Sequence, residues 1–292
     1  MILKILVATI TTMGFSCPAN AQDAGAAAAR LKEIHRTVMD PQQVFSIRVT
    51  LAELEKLKQD IPASDIEAQG EFHYLQAFVL YRAGKMAEAL PHSLEALRID
   101  DKKPFLTAYE RSRFIYSIAR QAEDTGQWGT AIEHYRRAIP LFDADPEFDE
   151  DQRLGARERL GFCLHEAGQY QEALTLNREI LAKGEKLFGP DSEKLLVVIT
   201  NLSQNTYMLG QADESRRFLE RRLAIATKHD DQNHVDDSLF QLGVLAFEQG
   251  HPDEAEKWMK RRLDLARKSG DDDRIDKAEE DLQILYKKMG RS

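Results

Sequence analysis

The side chains best suited to chemistry are scattered rather than gathered. His165-Glu166 is a helix-end pair with no third ligand at metal spacing. The run Asp143 to Asp151 holds four aspartates and two glutamates. It lacks the glycine and the terminal glutamate of a calcium loop, and reads as a solvated linker. Cys163 lies on an apolar face and reads as a small core residue. The chain has no glycine-rich phosphate loop, no His-Glu-x-x-His, no paired cysteines and no serine elbow. No enzyme chemistry, metal or cofactor is expected. The arginine pairs Arg136-Arg137, Arg216-Arg217, Arg221-Arg222 and Arg261-Arg262 stand among Glu and Asp and read as a salt-bridged outer face.

What must position any site is a repeat. Gly168-Gln169-Tyr170-Gln171-Glu172-Ala173 is flanked by two helix-like patterns, Arg153 to Ala167 and Leu174 to Lys183, and has the form of a helical-hairpin turn. The same shape recurs from Gly84, Gly126, Gly210 and Gly250, at intervals of 42, 42, 42 and 40 residues, and Gly290 follows 40 beyond the last. A fixed period of this size marks a repeat array. Charged residues make up 30% of the chain, and alternating β-branched runs are nearly absent. The class is therefore all-α.

In chain order, Met1 to Ala21 reads as a secretory signal, with an apolar run from Ile5 to Phe15 and cleavage before Gln22. That run is too short to span a bilayer. Ser16-Cys17 also permits a lipoprotein reading, with Cys17 lipidated. No other segment is apolar enough for a membrane helix, so the mature chain is expected to be soluble and exported, in a bacterial periplasm. Removal of the signal takes away only Lys4 among charged residues and moves the net charge from −9 to −10. An acidic chain without a basic patch argues against nucleic acid.

Residues 22–62 form a helical pair or degenerate repeat, with helices over about 27–38 and 42–59, the second carrying Val44, Ile47, Leu51, Leu54 and Leu57. Residues 63–270 hold five repeats, and residues 271–292 a capping helix begun at Asp271-Asp272-Asp273. Ser64 and Glu67 have capping-box spacing. Pro91 predicts a late start or a kink in its helix. Gly189-Pro190-Asp191 supplies a stop, a proline and a cap.

Residues 64–290 resemble the tetratricopeptide repeat. Ala77, Ala119, Gly161, Ser203 and Gly243 occupy the family's small mid-helix position, each seven residues before a turn glycine. Ala96 and Ala138 match its second-helix small position, where Arg222 and Arg262 depart from it. The long period and Phe188-Gly189-Pro190-Asp191 resemble the kinesin-light-chain-type subclass, although Ser192-Glu193 replaces its His-Pro. The resemblance implies a right-handed superhelical solenoid of antiparallel hairpins whose first helices line a concave groove. Groove-facing positions would then be Glu71, Tyr74, Phe78 and Tyr81, then Arg113, Tyr116, Arg120 and Glu123, then Gly155, Glu158, Phe162 and His165. They continue as Val197, Thr200, Gln204 and Tyr207, and as Asp237, Phe240, Val244 and Phe247. Asn201 would hold a bound backbone through its amide or cap a neighbouring helix. The family's carboxylate clamp is not matched, because its lysines and asparagines are missing around Arg113 and Arg159. Aromatic and arginine side chains are common binding anchors, and the alternative for the aromatics is packing between neighbouring repeats. The expected function is a non-catalytic scaffold that takes a partner's peptide or helix in the groove. The alternative is a self-associating component of the cell envelope.

Overall fold

The computed structural model of the protein describes residues 21–291. All but the last residue of the expected signal, Cys17 included, lies outside them. The described residues form thirteen α helices and no strand. They divide into two compact units, one ending at Ala108 and the other beginning at Tyr109.

The first unit contains α1 (Ala21–Met39), α2 (Ile47–Leu57), which runs into a 3-10 turn (Lys58–Asp60), and the hairpin of α3 (Ile66–Arg82) and α4 (Met86–Lys102). Ala27, Leu31, Ile34 and Val38 lie at helical spacing and are all buried, giving α1 one apolar stripe. α2 starts later than its pattern predicts. Val44 lies in the preceding loop, fully exposed, and Ser46 is the N-cap. Asp65 rather than Ser64 caps α3, its carboxylate accepting from Ala68 N at 3.1 Å. α4 starts directly after the turn, at Met86, and runs through Pro91.

The second unit holds four hairpins and a last helix. These are α5 (Ala108–Asp124) with α6 (Trp128–Ala144), α7 (Glu150–Glu166) with α8 (Tyr170–Phe188), α9 (Leu196–Met208) with α10 (Ala212–Lys228), and α11 (Gln232–Glu248) with α12 (Pro252–Ser269), followed by α13 (Asp272–Lys288). The expected acidic linker is shorter than its charge suggests. α6 runs on to Ala144, Phe148 stacks on Phe142 at 3.9 Å between ring centroids, and Asp149 with Gln152 forms a capping box for α7. After Gly189, Ser192 rather than Asp191 caps the next turn, a 3-10 turn (Glu193–Leu195) leading into α9.

All six turn glycines take a left-handed backbone, with φ from +68° to +80°. The following N–H reaches back to the carbonyl five residues earlier, as from Gln169 to Leu164 at 2.8 Å. That bond satisfies a carbonyl the helix end would otherwise orphan. A residue with a Cβ is strained there, which is why glycine recurs. The hairpins close on small residues. The mid-helix positions Ala77, Ala119 and Ser203 are at most 1% exposed, and so are Ala89, Ala131, Ala173 and Ala255, five residues after their glycines. At Gly161 an added Cβ would meet Asn177 Oδ1 at 2.7 Å, and at Gly243 it would meet Met259 at 2.8 Å. Asn177 and Met259 both lie nine residues after their turn, so each first helix leaves a notch for the same second-helix position.

The second helices are tied in sequence on their outer side. Arg136 bonds Glu172, Arg178 bonds Glu214 at 2.9 Å, and Arg216 bonds Glu254. Each of these glutamates stands four residues after its turn glycine. Arg222 and Arg262, grouped with the outer-face arginines by sequence, are instead buried. Arg222 donates to Ser238 Oγ (2.8 Å) and Thr200 Oγ1 (3.1 Å), and its Nη2 lies 2.8 Å from Asp237. Arg262 bonds Asp236 through two nitrogens (2.8 and 3.0 Å) and Asp281 through a third (2.6 Å). Their shifts diverge. Burial pulls the Arg222 guanidinium below its usual pKa despite Asp237. At Arg262, hydrogen bonds to Asp236 and Asp281 outweigh burial and raise it.

Arg222 thus has a single carboxylate. Asp237→Ala should destabilise the chain by about 2–4 kcal/mol in urea unfolding, because it leaves a guanidinium buried and unpaired. Adding Arg222→Met should recover most of that loss. Equal losses in the single and double variants would show that the pair is not the cause.

Candidate functional site

The exposed chemistry of the second unit lies on its first helices. On α5, Arg113 is exposed and donates to Tyr109 Oη at 3.0 Å, its guanidinium 5.3 Å from the Tyr109 ring centre. Glu123 is the hub of a small network. It accepts from the buried Tyr135 hydroxyl of α6 and from Arg159 Nη1 of α7 at 2.8 Å, and Arg120 Nε stands 3.8 Å away. Burial, then the bond to Glu123, holds the Tyr135 hydroxyl far above its usual pKa, so it stays a donor. Two guanidiniums, of Arg120 and Arg159, therefore share this one carboxylate. Cys163 is buried, and burial pushes its thiol up to about 12, which leaves little nucleophilic thiolate.

On α7, burial pushes the Glu158 carboxyl up to about 7, with Arg159 opposing and Asp151 adding to the rise. No ion pair to Glu158 occurs among the described residues. Phe162 is 37% exposed and meets the edge of Trp128, ring centroids 5.9 Å apart. His165 Nδ1 bonds Asn205 Oδ1 of α9 at 2.7 Å, joining successive first helices. α9 then shows Val197, Tyr207 and Met208 to solvent, each between 43% and 51% exposed. Asn201 and Gln204 lie between them along the helix, and neither amide has a hydrogen-bond partner among the described residues. The Tyr207 hydroxyl donates to Glu248 of α11 at 2.8 Å.

The other predicted groove residues are placed differently. Tyr74 is buried, beside His35 and Met39 of α1, and Glu71 bonds His35. α1 thus covers part of the α3 face expected to be open, so packing claims Tyr74. Phe78 and Tyr81 are half-buried in the first unit. Tyr116 is half-buried against Tyr135 and Phe142. Phe240 lies beneath the Arg262 guanidinium at 5.1 Å, and Phe247 belongs to the apolar cluster of α11, α12 and α13. The second unit therefore collects Arg113, Arg120, Phe162, Asn201, Gln204 and Tyr207 on α5, α7 and α9. The sequence reading passed over Asn205 and Tyr135. A hydroxyl-bearing aromatic on the buried side of α6 is the signal that finds Tyr135, since such a group needs a polar partner.

Antiparallel hairpins stacked on an unvarying left-handed turn define an all-α helical-repeat solenoid. Residues 152–228, covering α7 to α10, match the tetratricopeptide repeat family. Over that segment the chain carries tetratricopeptide repeats. It is similar in fold to BtubC from P. vanneervenii (19% identity, 78% of this chain and 89% of that one, TM-score 0.54). It is similar also to the apo form of RapI (13% identity, 88% and 79%, TM-score 0.60). A Rap protein complexed with Competence and Sporulation Factor matches at 13% identity over 92% and 87%, with a TM-score of 0.50. At these identities the likeness is one of fold. No curated protein matches the chain.

Glu158 gives a pH signature. Its folded pKa, about 7, exceeds its ordinary 4.5, so its stabilising contribution is full below 4.5 and is lost as pH rises through 7. Between pH 5 and pH 8 the wild type should lose about 2 kcal/mol relative to Glu158→Gln in urea unfolding. Parallel pH profiles would remove this assignment.

Proposed function

We propose that the chain is a non-catalytic protein-interaction scaffold whose first-helix face on α5, α7 and α9 takes an extended segment of a partner protein. Tetratricopeptide repeats support the general role. The observation that carries the specific one is the exposure of Phe162, Val197, Tyr207 and Met208 on consecutive first helices, beside the unpaired amides of Asn201 and Gln204. Apolar side chains supply area, and the amides can pair with a peptide backbone. The guanidinium excess around Glu123 favours an acidic stretch of the partner over α5 and α7. The Rap protein complexed with Competence and Sporulation Factor shows that a similar fold can hold another molecule.

A photo-crosslinking residue at Gln204 should capture a partner, and one at the exposed Glu220 on α10 should not. Phe162→Ala and Tyr207→Ala should each weaken capture by roughly tenfold, about 1–2 kcal/mol. Equal capture from both positions would end the proposal. Capture of a second copy, together with a concentration-dependent mass in light scattering, would establish self-association instead.

We also propose export into a bacterial periplasm, supported by the charged start, apolar run and Ala19-Asn20-Ala21 of the sequence. Amino-terminal sequencing of the mature protein should begin at Gln22. A chain retaining Met1 would refute export by this route, and a lipidated Cys17 would replace soluble release with anchoring.

A further inference from the structure

Two imidazoles in the first unit face each other across the hairpin of α3 and α4. His73 and His92 bring their Nδ1 atoms to 2.9 Å, with ring centroids 5.1 Å apart and planes tilted by 37°. Phe72 sets its edge against both rings, at 5.2 and 6.3 Å. Both side chains are half-buried, fixed in place yet open to solvent on one side. A hydrogen bond between the rings requires one Nδ1–H and one Nδ1 lone pair, so at least one ring is neutral. Burial favours neutrality in both, and each also feels a nearby positive charge, His73 that of His92 and His92 that of Lys58.

The spacing also has a coordination meaning. Imidazole nitrogens bind borderline metal ions at about 2.0–2.1 Å, so two on one ion stand about 2.9 Å apart at a right angle and about 3.4 Å apart at a tetrahedral one. The pair already stands at the short end of that range. Rotation of the two rings would aim both lone pairs at one point, with the shared proton moving to Nε2 of its own ring.

We propose that His73 and His92 form a two-nitrogen site for a divalent transition-metal ion, taken by Cu²⁺ ahead of Ni²⁺ or Zn²⁺, with water in the remaining positions. The order follows from the general rise in affinity toward copper, and the nitrogen donors exclude Mg²⁺ and Ca²⁺ as ligands of choice. No group of three or more His, Cys, Asp or Glu side chains suited to a metal occurs among the described residues, so protein supplies two ligands. The charged groups facing the pair are Glu55 and Lys58 on one side and Glu95 and Arg98 on α4. Glu95 is held by Arg98 through two nitrogens, at 2.6 and 2.7 Å, and Glu55 Oε1 accepts from Gln76 at 3.0 Å. Neither carboxylate is free to outcompete the imidazoles without breaking an existing bond.

The test is titration of the full untagged chain with CuCl₂ in a non-coordinating buffer, with electron paramagnetic resonance of the first equivalent. The expected result is one tightest equivalent whose spectrum shows two nitrogen ligands, weakened by roughly tenfold or more in His73→Phe and in His92→Phe. His229→Gln, a control on the second unit, should leave it unchanged. Helical circular dichroism checks each variant, and His92→Gln stands in where a phenylalanine variant fails to fold. Retention of the tightest equivalent in both pair variants overturns the proposal. So does a spectrum without two nitrogens, or displacement of Cu²⁺ by millimolar Mg²⁺.

Discussion

The close approach of two helices at small side chains is the constraint on which the rest of this molecule depends. Where Ala119 meets the next helix, or where Ser215 Oγ donates to Ser203 O at 2.9 Å, the helix axes approach to a separation that larger side chains would forbid. The left-handed glycine sets the angle of return, and the small residues let the returning helix lie flat. Large residues then have assigned places. Tyr135, Asn177 and Met259 fill the notch nine residues after the turn, and leucines fill the interfaces between hairpins.

Within that frame, polar burial marks where the repeats differ. Arg222 and Arg262 stand where Ala96 and Ala138 stand in earlier repeats, and each converts an apolar joint into a hydrogen-bonded one. The difference is one of compensation. Arg262 is flanked by two carboxylates and a ring face, whereas Arg222 relies on one carboxylate and two hydroxyls. Such joints are not strong because they are charged, since desolvation consumes much of the attraction. They are specific, because only one arrangement of neighbours satisfies the guanidinium.

Much of the fold was legible because the turn glycines act as a ruler. Their spacing locates α3 to α12 and the small mid-helix positions that open the notches. What escaped were features decided by partners distant in sequence. The burial of Tyr74 depends on where α1 lies, and nothing local in α3 announces that helix. Arg222 was marked by its place at the second-helix small position but not by its partners, and it is buried whereas its neighbour Arg221 reaches Glu185 at 2.7 Å on the surface. One helical step separates the two fates. The amides of α9 were legible in position, but the burial of Asn201 and the lack of partners at Asn201 and Gln204 were not, because both depend on what α7 and α11 place beside them.

The outer Arg–Glu ties carry one further consequence. Each spans 36 or 38 residues and joins only neighbouring second helices. The hydrogen bond from Lys194 to Asp151 spans 43 residues, again about one repeat. Ties that close at about one repeat length leave no long loop to seal, so the search for the native state is local. Hairpins can form independently and then zip onto neighbours, and unfolding can begin at either end while the middle holds. The same period that spaces the glycines therefore also sets the size of the cooperative step.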